Sequence, residues 1–323
     1  MKKITINKND SGKRLDRFLC KSFPRLPETL VQKYIRKKRI KINGKKAQNS
    51  EKLCENDVLE LYINDEFFEP LSYSDDFKKA PSKLDIIYED ENIMLVNKKA
   101  GLIVHGDKNF QIDCLINRIK NYMFEKGEYI PENEHSFAPA LVNRIDRNTS
   151  GIVIAAKNSE SLAILGEKMK NREIHKNYLC IVCGNINPKS GTLTGYLEKD
   201  TDKNKVFIKN KRNGSKNLKS IATKYQTIKS KKNFSLLDVE LLTGRTHQIR
   251  AHFASIGYPL LGDGKYGKNH INRSKGYKFQ ALCSYKLRFD FKSDAGLLNY
   301  LNGKKVEVPK EKIWFVKDFY DNF

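Results

Sequence analysis

The chain reads as an α+β protein in two parts: a small helical module with a hairpin, then a larger domain on a mixed, mainly antiparallel sheet with flanking helices. Three observations predict this. Near the N-terminus, apolar residues fall at helical spacing and lead into a tight-turn signal. From residue 83 onward, short apolar or alternating runs recur between charged turns, as strands do. A few helical segments lie between those runs, which suits an α+β domain around an antiparallel or mixed sheet. With 323 residues the chain is long enough for two domains, one with a substantial core.

In the first part, RLDRFLCKSF (14–23) places Leu15, Phe18, Leu19 and Phe23 on one helical face. LPETLVQKYIRKKRI follows, with Leu30, Tyr34 and Ile35 on one side and Lys33, Arg36, Lys37, Lys38 and Arg39 gathered toward its end. In KINGKKA the pair Asn43-Gly44 signals a tight hairpin turn. VLELYI then closes the unit as a strand. Basic charge at the end of the second helix suits an RNA backbone reader, although cations there are also what the helix dipole favours on any solvated face. Residues 63–82 turn acidic and irregular up to Pro81 and read as a linker, giving a module over 1–62 and a second domain over 83–323.

The first module resembles the S4 RNA-binding domain over about residues 12–62, on the marks RLDRFL, IRKKRI and INGK. That resemblance implies binding to structured RNA, with Lys33, Arg36, Lys37, Lys38 and Arg39 as contacts.

Overall charge points the same way. Lys and Arg total 61 against 38 Asp and Glu, for a formal charge of +23. Such an excess self-repels unless a polyanion or the solvent screens it, and nucleic acid is the favoured partner. Lys far outnumbers Arg, so biased composition contributes to the charge as well. The six cysteines are scattered, and MKKITINKND lacks the apolar stretch of a signal peptide, so reduced thiols in the cytoplasm are expected. Cys180 and Cys183 sit three apart in a strand-like run, which points them to opposite faces and argues against a metal pair. No apolar run reaches the roughly 18 residues of a membrane span. The expectation is a monomer with no metal and no organic cofactor.

In the second domain, LDIIYED, ENIMLVNK, GLIVHG, GIVIAAK, NYLCIVCG, ATKYQTI and FSLLDVELL read as strands, and 159–171 as a helix with Leu162, Leu165 and Met169 on one face. In LLTGRTHQIRAHFASIGYPLLGD (241–263), Gly244 ends a strand and Thr246 can cap a helix beginning near His247. Ile249, His252, Phe253 and Ile256 form its apolar stripe, so His252 reads as a core histidine, while His247 and Arg250 share another face. NRIDRNTSG (143–151) sets Asp146 between Arg144 and Arg147 at the mouth of a strand. This is either a surface ion cluster or a carboxylate held charged for chemistry, since neighbouring guanidinium groups favour its charged form.

NRIDRNTSG is similar to the HRLDxxTSG motif of RluA-type pseudouridine synthases, KNYLCIVCG to their K-x-Y strand, and TGRTHQIRAHFASIGYPLLGD to their third signature. ENIMLVNKKAGLIVHG resembles the strand that opens their catalytic domain. With the S4-like module the resemblance spans about residues 12–291. It implies the pseudouridine synthase fold and an RNA isomerase acting on a flipped-out uridine, with large-subunit ribosomal RNA as the expected substrate. It further implies Asp146 as the catalytic aspartate, Arg245 as its pairing arginine, and Tyr178 as the tyrosine on the target base. Arg144 would fill the space the base leaves, and Arg147 would help bind phosphate. Thr149, Ser150 and Gly151 would shape the turn.

Three positions depart from the family pattern: Asn143 for the leading histidine, Lys99 for a proline, and Cys283 for a histidine. The basic segment 199–220, centred on Asn213-Gly214, reads as a hairpin or flexible loop against RNA phosphates. Two other readings stay open from sequence: a non-catalytic RNA-binding or ribosome-assembly protein, and the same isomerase acting on transfer RNA.

Overall fold

The computed structural model describes residues 1–69, 76–106, 112–200, 205–209 and 218–323. In the N-terminal module the helical periodicity becomes two helices, α1 (Leu15–Ser22) and α2 (Glu28–Arg36). Leu15, Phe18, Leu19 and Phe23 are buried together with Val31 and Ile35. They pack on an antiparallel sheet of β1 (Lys2–Thr5), β2 (Ile40–Ile42), β3 (Lys45–Lys46) and β4 (Val58–Leu61), in the order β1-β4-β2-β3. Asn43 and Gly44 both take positive φ, 51° and 77°, so the β2–β3 turn is the primed kind that matches strand twist. Strand β1 is a finding beyond the sequence reading: Ile4 and Ile6 face the module's core, but a four-residue run is too short to show its period.

The second domain runs β5 (Ile86–Glu89), β6 (Ile93–Lys98), α3 (Leu115–Glu125), β7 (Ala140–Leu141), β8 (Ser150–Ala156), α4 (Ser159–Lys170), β9 (Ile174–Cys183), β10 (Ser190–Asp200) and β11 (Lys205–Lys209). It continues with β12 (Lys219–Lys231), β13 (Phe234–Leu241), α5 (Gln248–Ser255), α6 (Asn269–Ser274), β14 (Leu282–Phe289), β15 (Lys305–Glu307) and α7 (Trp314–Asn322). One sheet carries all of these strands, in the order β11-β10-β12-β13-β9-β14-β8-β6-β5, with β15 on β14 and β7 on β8. All the neighbouring pairs are antiparallel except β14 and β8, which run parallel through Cys283↔Ser150 and Ser284↔Gly151.

Both faces of the central strands are covered, which is why β9 reads as a continuous apolar run. Tyr178, Cys180 and Val182 enter the core on one face, and Leu179, Ile181 and Cys183 the core on the other. The two cysteines of the CxxC therefore sit on opposite sides of the sheet. Asn158 caps α4, its Oδ1 accepting the Ser161 N–H at 2.8 Å. Helix α7 closes one core with Phe315, Val316 and Phe319. Of the basic segment, β11 pairs with the end of β10 from Asp200↔Lys205 to Tyr196↔Lys209. Asn213-Gly214 lies outside the described residues.

A polar seam joins the module to the second domain. Asn7 Nδ2 donates to the Asn133 carbonyl at 2.9 Å, Lys13 Nζ to Ser136 Oγ at 2.6 Å, and the Ser159 N–H to Asn9 Oδ1 at 3.1 Å. Phe77, ahead of β5, packs in the second domain's core against Phe124 and Tyr129. Among the described residues, no helix is long and apolar enough to cross a membrane.

Candidate active site

Asp146 lies in the connection from β7 to β8, where NRIDRNTSG leaves strand pairing and turns. The Thr149 N–H donates to the Asp146 carbonyl at 3.1 Å. Asn143 is buried, and its Oδ1 accepts the Ile154 N–H at 2.8 Å, which pins the loop to β8. Thr149 Oγ1 accepts from Gln280 Nε2 at 3.0 Å. Gly151 has φ 110°, and a Cβ there would stand 2.2 Å from the Ser284 carbonyl oxygen. Only glycine allows β8 to pair this closely with β14 at Ser284.

The partner of Asp146 corrects the sequence reading. Arg250, on α5, donates through Nη1 to Asp146 Oδ2 at 2.8 Å. Arg245 is exposed, and its backbone meets Gln248: its N–H donates to Gln248 Oε1 at 3.1 Å and its carbonyl accepts the Gln248 N–H at 3.1 Å. Arg144 and Arg147 are exposed too, and Arg147 Nε donates to the Gly101 carbonyl at 3.1 Å rather than to Asp146. The reason lies in helix rotation. Ile249 and Phe253 face the core, and Arg250, about 100° further round, is carried under the Asp146 loop. Arg245 precedes the helix and is exposed.

Thr246 does not cap α5. The cap position falls to His247, with the left-handed φ of 53°, and the Gln248 side chain ties down the strand–helix corner. Its Oε1 accepts from Thr243 Oγ1 at 2.9 Å, and its Nε2 donates to the Ala222 carbonyl at 3.0 Å. His252 is buried with Nδ1 3.0 Å from Thr223 Oγ1, a satisfied core histidine.

Arg250 has a second carboxylate, which sequence reasoning missed. Nε and Nη2 grip Asp263 at 2.7 and 2.9 Å, a bidentate contact that fixes the fork and aims Nη1 at Asp146. Asp263 is fully buried, and its Oδ1 also accepts the N–H groups of Lys265 and Tyr266 at 2.8 and 3.1 Å. Burial opposes its charge, but Arg250 and those N–H groups hold its pKa below the ordinary aspartate value. The signal was present in the sequence: an arginine beside the apolar stripe of a helix needs a buried acid, and LLGD supplies one.

With Oδ2 engaged, Asp146 Oδ1 makes no hydrogen bond among the described residues, and the side chain is 24% exposed. Its partner Arg250 lines a cavity of about 410 Å³, together with Asn148, Lys205, Gly264, Lys265 and Gln280. Tyr178 lies near Asp146, its phenol pushed up to about 12 first by burial and further by the Asp146 charge, so it stays protonated at neutral pH. Cys283 is buried on β14 with its thiol pushed up to about 12 by burial, which leaves it inert.

Lys98 is a further residue that sequence reasoning passed over. It is fully buried at the end of β6, and its Nζ donates to the carbonyls of Lys99, Leu102 and Arg147 at 3.0, 2.7 and 2.8 Å. Burial drags its pKa down to about 7, while the Asp146 charge favours the cation. Three acceptors match the three hydrogens of an ammonium, and together they pin the backbone just after Asp146. Lys99 itself is exposed. Among the described residues, no group of three or more His, Cys, Asp or Glu side chains could hold a metal ion.

A carboxylate with one oxygen clamped and the other without a hydrogen bond among the described residues, near a buried phenol, is suited to bond chemistry at a sugar or base carbon. The chain as a whole is similar to proteins of one family. The family model for RNA pseudouridylate synthase matches residues 92–255, and that for the S4 domain residues 13–59. An uncharacterized RNA pseudouridine synthase of Mycoplasma capricolum is 35% identical over 95% of this chain and 97% of its own length. Ribosomal large subunit pseudouridine synthase D of Borreliella burgdorferi is 31% identical over 99% of this chain and 93% of its own. Among solved structures, human RNA pseudouridylate synthase domain containing 1 covers 75% of this chain and 86% of its own, with TM-score 0.55 and 21% identity, a likeness of fold. The chain belongs to the RNA pseudouridylate synthase family, and is an isomerase with an S4 domain at its N-terminus.

Proposed function

We propose that the protein converts uridine to pseudouridine in large-subunit ribosomal RNA, in the cytoplasm, with Asp146 as the catalytic carboxylate. One observation carries this: Arg250 Nη1 donates to Asp146 Oδ2 at 2.8 Å and leaves Oδ1 without a hydrogen bond among the described residues, near enough to Tyr178 for the carboxylate charge to act on its phenol. The reaction breaks the N1–C1′ bond, turns the base and joins C5 to C1′. The proton leaves C5 and N1 regains one, so no electrons are gained or lost. An anionic oxygen at the sugar or base either forms a covalent intermediate or stabilises the positive charge that develops as the glycosidic bond opens. Oδ1 is the oxygen placed for that. Arg250 neutralises the opposite side of the carboxylate, a role taken over from Arg245. Tyr178, protonated, packs against the target base and helps the C5 proton depart after the new bond has formed. A stacked nucleotide cannot reach the cavity, so the uridine swings out, and exposed Arg144 fills its place in the stack.

Residues 1–62 act as the RNA-gripping module, with 63–82 as the connection to a catalytic domain over 83–323, and the protein works as a monomer. Lys33, Arg36, Lys37, Lys38 and Arg39 are all exposed and suited to phosphate, as is Arg147 beside the catalytic loop. The ribosomal substrate is supported by relatives named for the large subunit, including pseudouridine synthase C of Rickettsia bellii, 31% identical over 85% of this chain. Incubation with ribosomal RNA tritiated at uridine C5 should release tritium to water. Asp146→Asn should abolish release while RNA binding persists, and no release by the wild-type protein from any cellular RNA would overturn the reading.

A further inference from the structure

We propose that His247 is a positioning residue for Asp146, held in one tautomer by Tyr266 and through it tied to strand β11. The inference rests on Asp146 being the catalytic carboxylate and concerns what sets its geometry. Arg250 is not alone at Oδ2: His247 Nε2 stands 3.9 Å from the same oxygen. On its other side, His247 Nδ1 is 3.0 Å from Tyr266 Oη. Tyr266 Oη in turn accepts the backbone N–H of Val206, on β11, at 2.9 Å. A four-group chain therefore runs from the outermost strand of the sheet to the catalytic carboxylate.

The hydrogen positions follow from that chain. With Val206 donating into Oη, the hydroxyl hydrogen is free to point at His247 Nδ1, which then accepts and leaves the ring hydrogen on Nε2. The opposite tautomer would turn a bare Nε2 lone pair toward a carboxylate already carrying negative charge. Burial lowers the His247 pKa, with Asp146 and Asp263 pulling it up and Arg250 and Lys265 pushing it down, so the ring is neutral at neutral pH and its tautomer matters. At 3.9 Å the Nε2–H does not yet bond Oδ2, and catalytic contacts of this kind commonly tighten when substrate seats.

Two further features single out this histidine. Its backbone is left-handed at φ 53°, a conformation costly for most side chains that persists where the surroundings enforce it. The Tyr266 ring also lies 5.3 Å from the Arg250 guanidinium carbon and 5.8 Å from Lys205 Nζ. The same ring thus touches the arginine that clamps Asp146 and a cation of β11 facing the cavity.

The test compares three variants by single-turnover rate on ribosomal RNA, RNA dissociation constant and thermal stability. His247→Gln puts an amide N–H where Nε2–H stands, and should keep the rate within about tenfold of wild type. His247→Asn suits the left-handed backbone better but places its N–H at the Nδ1 position, so it should be the more stable variant and yet lose on the order of 10²-fold in rate. Tyr266→Phe keeps the ring and removes only the hydroxyl, and should lose roughly tenfold in rate with RNA binding unchanged. Equal rates for the Gln and Asn variants, or rate losses matched by weaker RNA binding, would overturn the inference. A wild-type protein that modifies no RNA overturns the isomerase reading and this inference with it, whereas an active enzyme indifferent to position 247 overturns this inference alone.

Discussion

Two groups of cations in this chain are arranged in opposite ways. At the end of α2, Lys33, Arg36, Lys37, Lys38 and Arg39 stand in solvent. At the candidate site around Asp146, Arg250 and Lys98 are buried, with three nitrogens of the guanidinium and the whole ammonium committed to named acceptors. Exposed charges interact weakly with any one partner and act together on a polyanion at a distance. Buried charges are tolerable only when paired, and pairing fixes where they point. The same residue types are therefore free to meet a polyanion at one end and are fixed in geometry at the other.

The largest expected contrast is between two arginines five residues apart. Arg250→Met leaves Asp263 buried without its partner and should cost about 3–5 kcal/mol of stability in urea melts, along with all isomerase activity. Arg245→Ala, at an exposed site, should change stability by no more than about 0.5 kcal/mol. Comparable losses in both would erase the distinction.

Acid should separate the groups next. The folded pKa of Asp263 is below its ordinary 3.8, so its contribution is complete above that value and is lost as pH falls through and below it. The stability gap between wild type and Asp263→Asn should be widest near neutral pH and close in acid. A gap that widens on acidification would contradict the pairing. In alkali, Tyr178, with its phenol at about 12, should give no inflection in rate up to about pH 10, the ordinary tyrosine value. Such an inflection, absent in Tyr178→Phe, would mean the phenol is more exposed than its buried place implies.

The smallest single effects belong to α2. Lys37→Gln with Arg39→Gln should weaken RNA binding several-fold and reduce the slope of log affinity against log salt by about 0.7–0.9 for each phosphate no longer neutralised. Stability and single-turnover rate at saturating RNA should stay unchanged, and a slower rate there would place the S4 module in catalysis as well as in binding.

Much of the fold was legible because its information is local. The stripe Leu15, Phe18, Leu19, the Asn43-Gly44 turn, the helix from Ser159 and the stripe Ile249, His252, Phe253 each repeat within a turn or two of chain. Ile256, the last of that stripe by spacing, is exposed because α5 ends at Ser255. The site was legible to the level of motif. The sequence placed Asp146 and Tyr178 in the candidate site, but it gave Asp146 the wrong arginine as partner, because a motif that holds both Arg245 and Arg250 does not say which one faces a loop a hundred residues away. Lys98 and Asp263 were missed because a lysine or aspartate at the end of an apolar run usually marks a return to solvent.

By itself, the sequence determined the periodicities, the turns, the excess of positive charge and the order of motifs, all of which are set by neighbours along the chain. The tertiary structure decided which arginine clamps Asp146, which of its oxygens stays open, and that His247 and Tyr266 stand behind it. Those choices depend on how α5 is rotated against the sheet and on the close parallel pairing of β8 and β14 at Gly151. Packing settles such distances to within a fraction of an ångström, and no spacing along a chain encodes them.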